Sequence, residues 1–210
     1  PTPSPSSAAS DVYKRQYFNW SSISPAIFGS LFQAVKDKKS RRLLGEHYTT
    51  ETNILKLIRP LFLDELEERF TKAYARKNDL EKLLDHLSTL TFLDPACGCG
   101  NFLIIAYREL RALELRIHER LQQLDPSRNQ LVLDAAAQVH VRLTQFHGLE
   151  IEEWPATIAR TAMFLVEHQA NQDMTLALGN SVPMLPLQDS AHIVVTNAPV
   201  SYTHLTLPTK

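Results

Sequence analysis

Apolar residues in the first half of the chain recur at helical spacing. Ile27, Phe28, Leu31, Phe32 and Val35 form one such stripe, and Ile54, Leu55, Leu57 and Ile58 form another. Thr49 or Thr50 is placed to cap the second stripe, and Pro60 is expected to interrupt it. A longer amphipathic helix is predicted through LFLDELEERFTKAYARKNDLEKLLDHL. At Leu90 the period changes. TLTFLD predicts a strand, CGCGN a turn, and LIIAYRELRALELRIHERLQQL the helix that follows. DPSRN reads as a turn and NQLVLDAAAQVHVRL as a helical patch. LTQFHGLEI predicts a second strand, and PATIARTAMFLVEHQA a helix with Pro155 in its first turn. MTLALGNSV predicts a third strand and HIVVTN a fourth. Strands alternating with helices imply an α/β fold, with a parallel sheet, right-handed crossovers and a helical region in front.

Composition narrows the classes. The 210 residues are 44% hydrophobic and 21% charged, ordinary globular values. No apolar run has the length of a membrane span and no signal peptide opens the chain, so no membrane partner is expected. Cys97 and Cys99 are too close in sequence for an unstrained disulfide, which points to a reducing compartment. A net charge of −1 excludes a global basic field for nucleic acid. The run Lys36, Lys38, Lys39, Arg41 and Arg42 reads as a solvated face. His86, His118, His140, His147 and His168 show no close metal spacing and read as structural or surface residues; no metal is expected.

The two ends follow a different logic. One allowed codon choice for SSAASDVYKRQ, Ser6–Gln16, has a reverse complement that, read from its third base, encodes VSYTHLTLPT, which is Val200–Thr209. The termini therefore match one DNA element in opposite orientations, and that element resembles the transposon-end adapter of tagmentation libraries. The expected organisation is a non-native tail over 1–16, a helical region over 17–88, a partial α/β domain over 89–199 and a second non-native tail over 200–210.

The chemistry concentrates at strand ends. In FLDPACGCGNF, a strand ends at Asp94 and enters a helix through a small-residue turn, where Gly98 and Gly100 allow the backbone to approach a ligand closely. The stretch lacks G-K-[ST], and Leu103 stands where a dinucleotide loop has its third glycine, so it is not a phosphate loop. An Asp before the turn repels a pyrophosphate and suits a cationic amino group. In GLEIEEW, Glu150 closes the next strand, where a carboxylate can accept both hydroxyls of a ribose, while Glu152 and Glu153 read as solvated residues near a helix start. Asn180 in LGNSVP is either a turn residue or a polar contact at a strand end.

DPACGCGNF resembles the D-P-A-C-G-x-G motif of amino-group DNA methyltransferases, and GEHYTT resembles their G-x-[FY]-[FY]-T motif, with His47 at one aromatic place. HIVVTNAP resembles their D-x-I-x-x-N-P-P-[FY] motif; His192 stands for the common Asp, Ala198 for a Pro, and Val200 for the stacking aromatic. ISPAIFGSLFQ and LLGEHYTTETNILKLIRPLFLDEL extend the likeness to the MmeI-like family of fused restriction–modification enzymes. The resemblance implies a truncated class I methyltransferase with a Rossmann-like parallel sheet, from a bacterial cytoplasm. It implies an S-adenosylmethionine site at Tyr48, Thr49, Asp94, Ala96, Gly98, Gly100, Glu150 and Asn180, and a catalytic turn at Asn197, Ala198 and Pro199. The implied substrate is adenine in duplex DNA, flipped out of the helix. Asn-x-Pro also serves enzymes acting on cytosine amino groups, RNA or protein glutamine, and the departures at Ala198 and Val200 leave room for an inactive binding module.

The DNA encoding this chain is expected to carry the adapter element at both ends in opposite orientations. Resequencing the locus without transposon-end primers checks this, and native codons for Val200–Thr209 would sink it.

Overall fold

The computed structural model describes residues 49–126, 139–178 and 191–196. Helix α1 (Glu51–Ile58) begins at Thr50, whose carbonyl accepts the N–H groups of Asn53 and Ile54; its hydroxyl makes no capping bond. Pro60 interrupts this helix without breaking the helical run. Proline lacks an N–H and crowds the carbonyl one turn earlier, and the chain absorbs both defects in a single π-helical turn, Arg59–Leu63, that runs straight into α2 (Asp64–Ala73). The long helix expected next is divided instead. The chain turns at Tyr74–Arg76 and restarts as α3 (Lys77–Thr89), which buries Leu80, Leu83, Leu84 and Leu87.

Strand β1 (Phe92–Asp94) leads through the glycine turn into α4 (Asn101–Leu124). A short 3₁₀ turn, Leu143–Gln145, precedes β2 (Phe146–Glu150), and α5 (Glu153–Leu178) follows it. The strand expected over MTLALGNSV is contradicted: α5 continues to Leu178, and residues 179–190 lie outside the described residues. The apolar residues there keep a helical period. Asn171, Met174 and Leu178 are buried, while Leu176 between them is 82% exposed. The predicted fourth strand is therefore the third one described, β3 (His192–Val195). Of the helical patch predicted at NQLVLDAAAQVHVRL, residues 129–138 lie outside the described residues and 139–142 are not helical.

The described sheet is parallel, in the order β1-β2-β3, with Asp94 opposite Gly148 and Glu150 opposite Val195. Helix α4 is its main cover and touches α1, α3, α5, β1 and β2. The helical lead-in shares this core: Leu66, Leu80, Leu84 and Leu87 cluster with Leu110, Phe146, Ala159 and Ile193. An aromatic series joins the layers, with Phe62 edge-on to Phe92 at 5.1 Å, Phe92 stacked on Phe146 at 4.9 Å and Tyr107 edge-on to Phe146 at 5.3 Å. No helix among the described residues is long and apolar enough to cross a membrane.

Gly148 is a packing requirement of β2. A Cβ there would lie 2.7 Å from Cys97 Sγ and 3.3 Å from Leu103 Cδ1. Gly148→Ala is therefore expected to destabilise the fold by about 1–3 kcal/mol, and adding Cys97→Ala to recover part of the loss. Denaturant unfolding of the single and double variants checks this; a neutral Gly148→Ala would contradict the close approach.

Candidate active site

Two strand ends and one turn build the site. After β1 the chain passes Pro95 and Ala96 and folds back so that Cys97 N–H donates to Leu149 O at 2.9 Å on β2. Gly100 N–H then donates to Cys97 O at 2.7 Å, closing the turn, and Gly100 O accepts the first helical bond of α4 from Ile104 N–H. Gly98 and Gly100 have φ of +54° and +82°, where an L side chain is strained. The two are required for different reasons. A Cβ on Gly100 would stand 3.0 Å from Ala159 Cβ, so this glycine lets α5 approach the turn. A Cβ on Gly98 would meet nothing within 4 Å, so this one leaves backbone facing open space.

The carboxylates hold the turn from beneath. Asp94 Oδ1 accepts Ala96 N–H at 3.1 Å. Glu150, 8% exposed, accepts Gly98 N–H on Oε2 at 2.9 Å and Glu152 N–H on Oε1 at 3.0 Å. Its backbone carbonyl also accepts Thr196 N–H at 2.8 Å, securing the end of β3. Asp94, Ala96, Gly98, Gly100 and Glu150 therefore form one connected unit. Burial raises the Asp94 pKa, with the Glu150 charge adding to it and the bond from Ala96 opposing it. Burial likewise pushes the Cys97 thiol up to about 12, with Asp94 and Glu150 contributing, so Cys97 is an inert packing residue. The arrangement sets a half-buried and a buried carboxylate beside a turn whose amide groups are already held, with Gly98 open to a ligand. It suits a ligand bearing both a cation and hydroxyl groups.

Thr49 precedes α1, and that helix start is tied to α4 by the ion pair of Glu51 with Arg108, which lowers the Glu51 pKa. Tyr48, Asn180, Asn197, Ala198 and Pro199 lie outside the described residues. The strand that leads to Asn197 is described and lies beside β2, so β2 separates it from β1. At its start His192 stacks on His147 with ring centroids 5.1 Å apart. Glu153 is exposed, as its place at a helix start predicts, and pairs with Arg160 at 3.1 Å.

Three features escape the sequence reading. Glu150 is a scaffold for the glycine turn, which its position at a strand end does not reveal. Asn101 Oδ1, directly after the turn, is buried with no hydrogen-bond partner; the only signal was its adjacency to CGCG. On the outer side of β1, Leu57, Leu61, Phe62, Leu93 and Phe102 line an apolar groove of about 550 Å3 that reaches Asp94.

The chain has clear relatives. Residues 70–207 match the family model described as MmeI, DNA-methyltransferase domain, a span that takes in residues 200–207 as well. DNA methyltransferase A of Bacillus subtilis (strain 168) is 43% identical over 184 residues, covering 87% of this chain and 20% of that protein. A putative type II restriction enzyme and methyltransferase of Methanocaldococcus jannaschii is 31% identical over 104 residues, covering 49% of this chain and 8% of that protein. Among solved structures, the type IIL restriction–modification enzyme MmeI in complex with DNA superimposes with a TM-score of 0.78 at 51% identity, covering 86% of this chain and 24% of that one. The chain thus spans about a fifth of the first curated relative.

The raised Asp94 pKa has a consequence for stability. Its folded value lies above its unfolded value, so its contribution is fully present below the ordinary Asp range and is lost as pH rises through the raised value. Asp94→Asn keeps the acceptor for Ala96 N–H and removes the charge. This variant is expected to melt above the parent at neutral pH in the absence of ligand, the gap closing in acid; thermal unfolding against pH checks it. The match over residues 70–207, on a sheet and glycine turn of this form, identifies the chain as a member of the MmeI DNA-methyltransferase domain family.

Proposed function

We propose that this chain is the leading part of a methyltransferase domain that uses S-adenosylmethionine to methylate the exocyclic amino group of adenine in duplex DNA. The observation that carries the reading is the joint state of Gly98 and its neighbours. A left-handed glycine faces open space, with its N–H held by the buried Glu150 and the Asp94 carboxyl in the same hydrogen-bonded turn. These residues fit the cofactor's groups. Asp94 meets the ammonium, whose charge relieves the carboxylate crowding. Glu150 meets the ribose hydroxyls with the lone pairs left after its two backbone bonds. Ala96, Gly98 and Gly100 provide close backbone approach, Tyr48 and Thr49 cover the cofactor, and Asn180 accepts from the adenine amino group.

When bound, the cofactor supplies an electrophilic methyl on a sulfonium sulfur. The Asn197 side-chain oxygen and the Ala198 carbonyl accept the two amino hydrogens of a flipped base, which draws the nitrogen lone pair out of ring conjugation; no proton need leave first. Pro199 shapes the turn. In this reading the enzyme works in the bacterial cytoplasm, and residues 1–16 and 200–210 are adapter-encoded. The stretch alone is inactive: among the described residues β1 pairs only with β2, and the groove beside it is apolar. Ala198 in place of proline favours one competing reading, a cofactor-binding module without catalysis, over enzymes of other amino-group substrates.

The test uses the full-length enzyme that contains this segment. Asp94→Ala and Glu150→Ala are each expected to weaken S-adenosylmethionine binding by roughly 10-fold or more, the loss of one charge-assisted hydrogen-bonded partner. N6-methyladenine is the expected product on unmodified DNA. Unchanged affinity in both variants would overturn the site, and cofactor binding with no methylated product would favour the module.

A further inference from the structure

Away from the glycine turn, the seam between α4 and α5 buries an unusual set of polar side chains. Arg111, Glu114, His118, Glu167 and Asn171 are all at most 5% exposed. Glu114 and His118 are four residues apart on α4 and share a face. His140 arrives from the segment before β2, its ring centroid 5.7 Å from that of His118. One ligand atom from each of Glu114, His118 and His140 lies within 4.8 Å of the others. The sequence shows no such cluster, because 22 residues separate the two histidines and only the return of the chain to α4 brings them together.

We propose that Glu114, His118 and His140 bind one divalent transition-metal ion of zinc type, clamping α4 to the segment that enters β2. Two imidazoles and a carboxylate are a donor set that zinc accepts, at bonds of about 2.0–2.2 Å. A tetrahedral ion with such bonds holds its ligand atoms roughly 3.3–3.6 Å apart. His140 Nδ1 already stands 3.4 Å from Glu114 Oε1. Side-chain adjustment on the order of 1 Å brings the His118 nitrogen to the same spacing. The His140 side chain is 21% exposed and gives the ion a path from solvent, while the fourth position falls to water.

The carboxylate is oriented as a ligand requires. Val141 N–H donates to Glu114 Oε1 at 3.3 Å, and the His140 backbone N–H donates to the same atom. Glu114 Oε2 accepts no hydrogen bond and faces Arg111 Nε at 3.4 Å. Supporting contacts of this kind fix a ligand's direction. Arg111 is the opposing influence, since a guanidinium repels a metal ion. Its other nitrogens are engaged by Val141 O at 3.2 Å and Asn171 Oδ1 at 2.8 Å. Glu167, buried on α5, provides a second negative charge against that one guanidinium. Both Glu114 and Glu167 act on the buried Tyr107 phenol, raising its pKa beyond what burial does, while Arg111 opposes them. With neutral histidines the described seam carries two anions and one cation, a balance that a divalent ion reverses and stabilises.

The experiment uses the whole chain, free of any histidine tag. Metal analysis after purification in zinc-containing medium is expected to give one zinc per chain. A chelator is expected to lower the thermal midpoint and zinc to restore it, with magnesium ineffective. Cobalt substitution is expected to produce the visible absorption of a tetrahedral site. His118→Ala and His140→Ala should each weaken cobalt binding by about 100-fold or more, at or above the top of what removing a supporting group does. His140, at the surface side, guards against a variant that fails to fold. Absence of stoichiometric zinc together with no cobalt spectrum would overturn the proposal, as would unchanged cobalt affinity in both variants.

Discussion

The bond from Gly98 N–H to the buried Glu150 carboxylate is the contact on which the described site depends. It joins the turn after β1 to the end of β2 across 52 residues of chain. A buried carboxylate is costly unless it is hydrogen-bonded, and here each of its oxygens accepts one backbone amide. The same residue's carbonyl secures the chain after β3. One residue thus holds the glycine turn and the α5 entrance with its side chain and the end of the third strand with its carbonyl. The left-handed glycines are affordable because this anchoring, with Cys97 packed under Gly148, holds the turn in place.

The helical lead-in serves the same unit from the other side. Glu51 pairs with Arg108 on α4, and the π-turn at Pro60 brings Phe62 against Phe92. Helix α4 is therefore held at its N-terminus by the glycine turn, along its length by α1, α3 and α5, and through Glu114 by the segment before β2. The polar seam within that packing links the entry of β2 to α4, so the position of Glu150 depends on groups far from it in sequence.

Most local structure was legible. The change of period at Leu90, the β1–turn–α4 unit and the β2–α5 unit follow from residues close in sequence. The misreadings have local causes too. MTLAL is a short apolar run, which by itself does not separate strand from helix, and the buried Asn171, Met174 and Leu178 are spaced for a helix. Pro60 does interrupt the α-helix, as expected, but through a π-turn that leads directly into the next helix. The division at Tyr74–Arg76 had no clear marker in the sequence.

By itself the sequence determined which residues stand at the strand ends. Asp94, the small residues after it and Glu150 are spaced by one strand–helix–strand unit, and the residues of DPACGCGNF carry the resemblance to a family. Periodicity and motif spacing report what the chain does over a few residues. Only the tertiary structure decided that Glu150 supports the turn, that β3 lies against β2, and that Glu114, His118 and His140 meet in a buried seam. Those outcomes depend on contacts between residues 22 to 52 positions apart, where the energy comes from burial and from partners that no local pattern encodes.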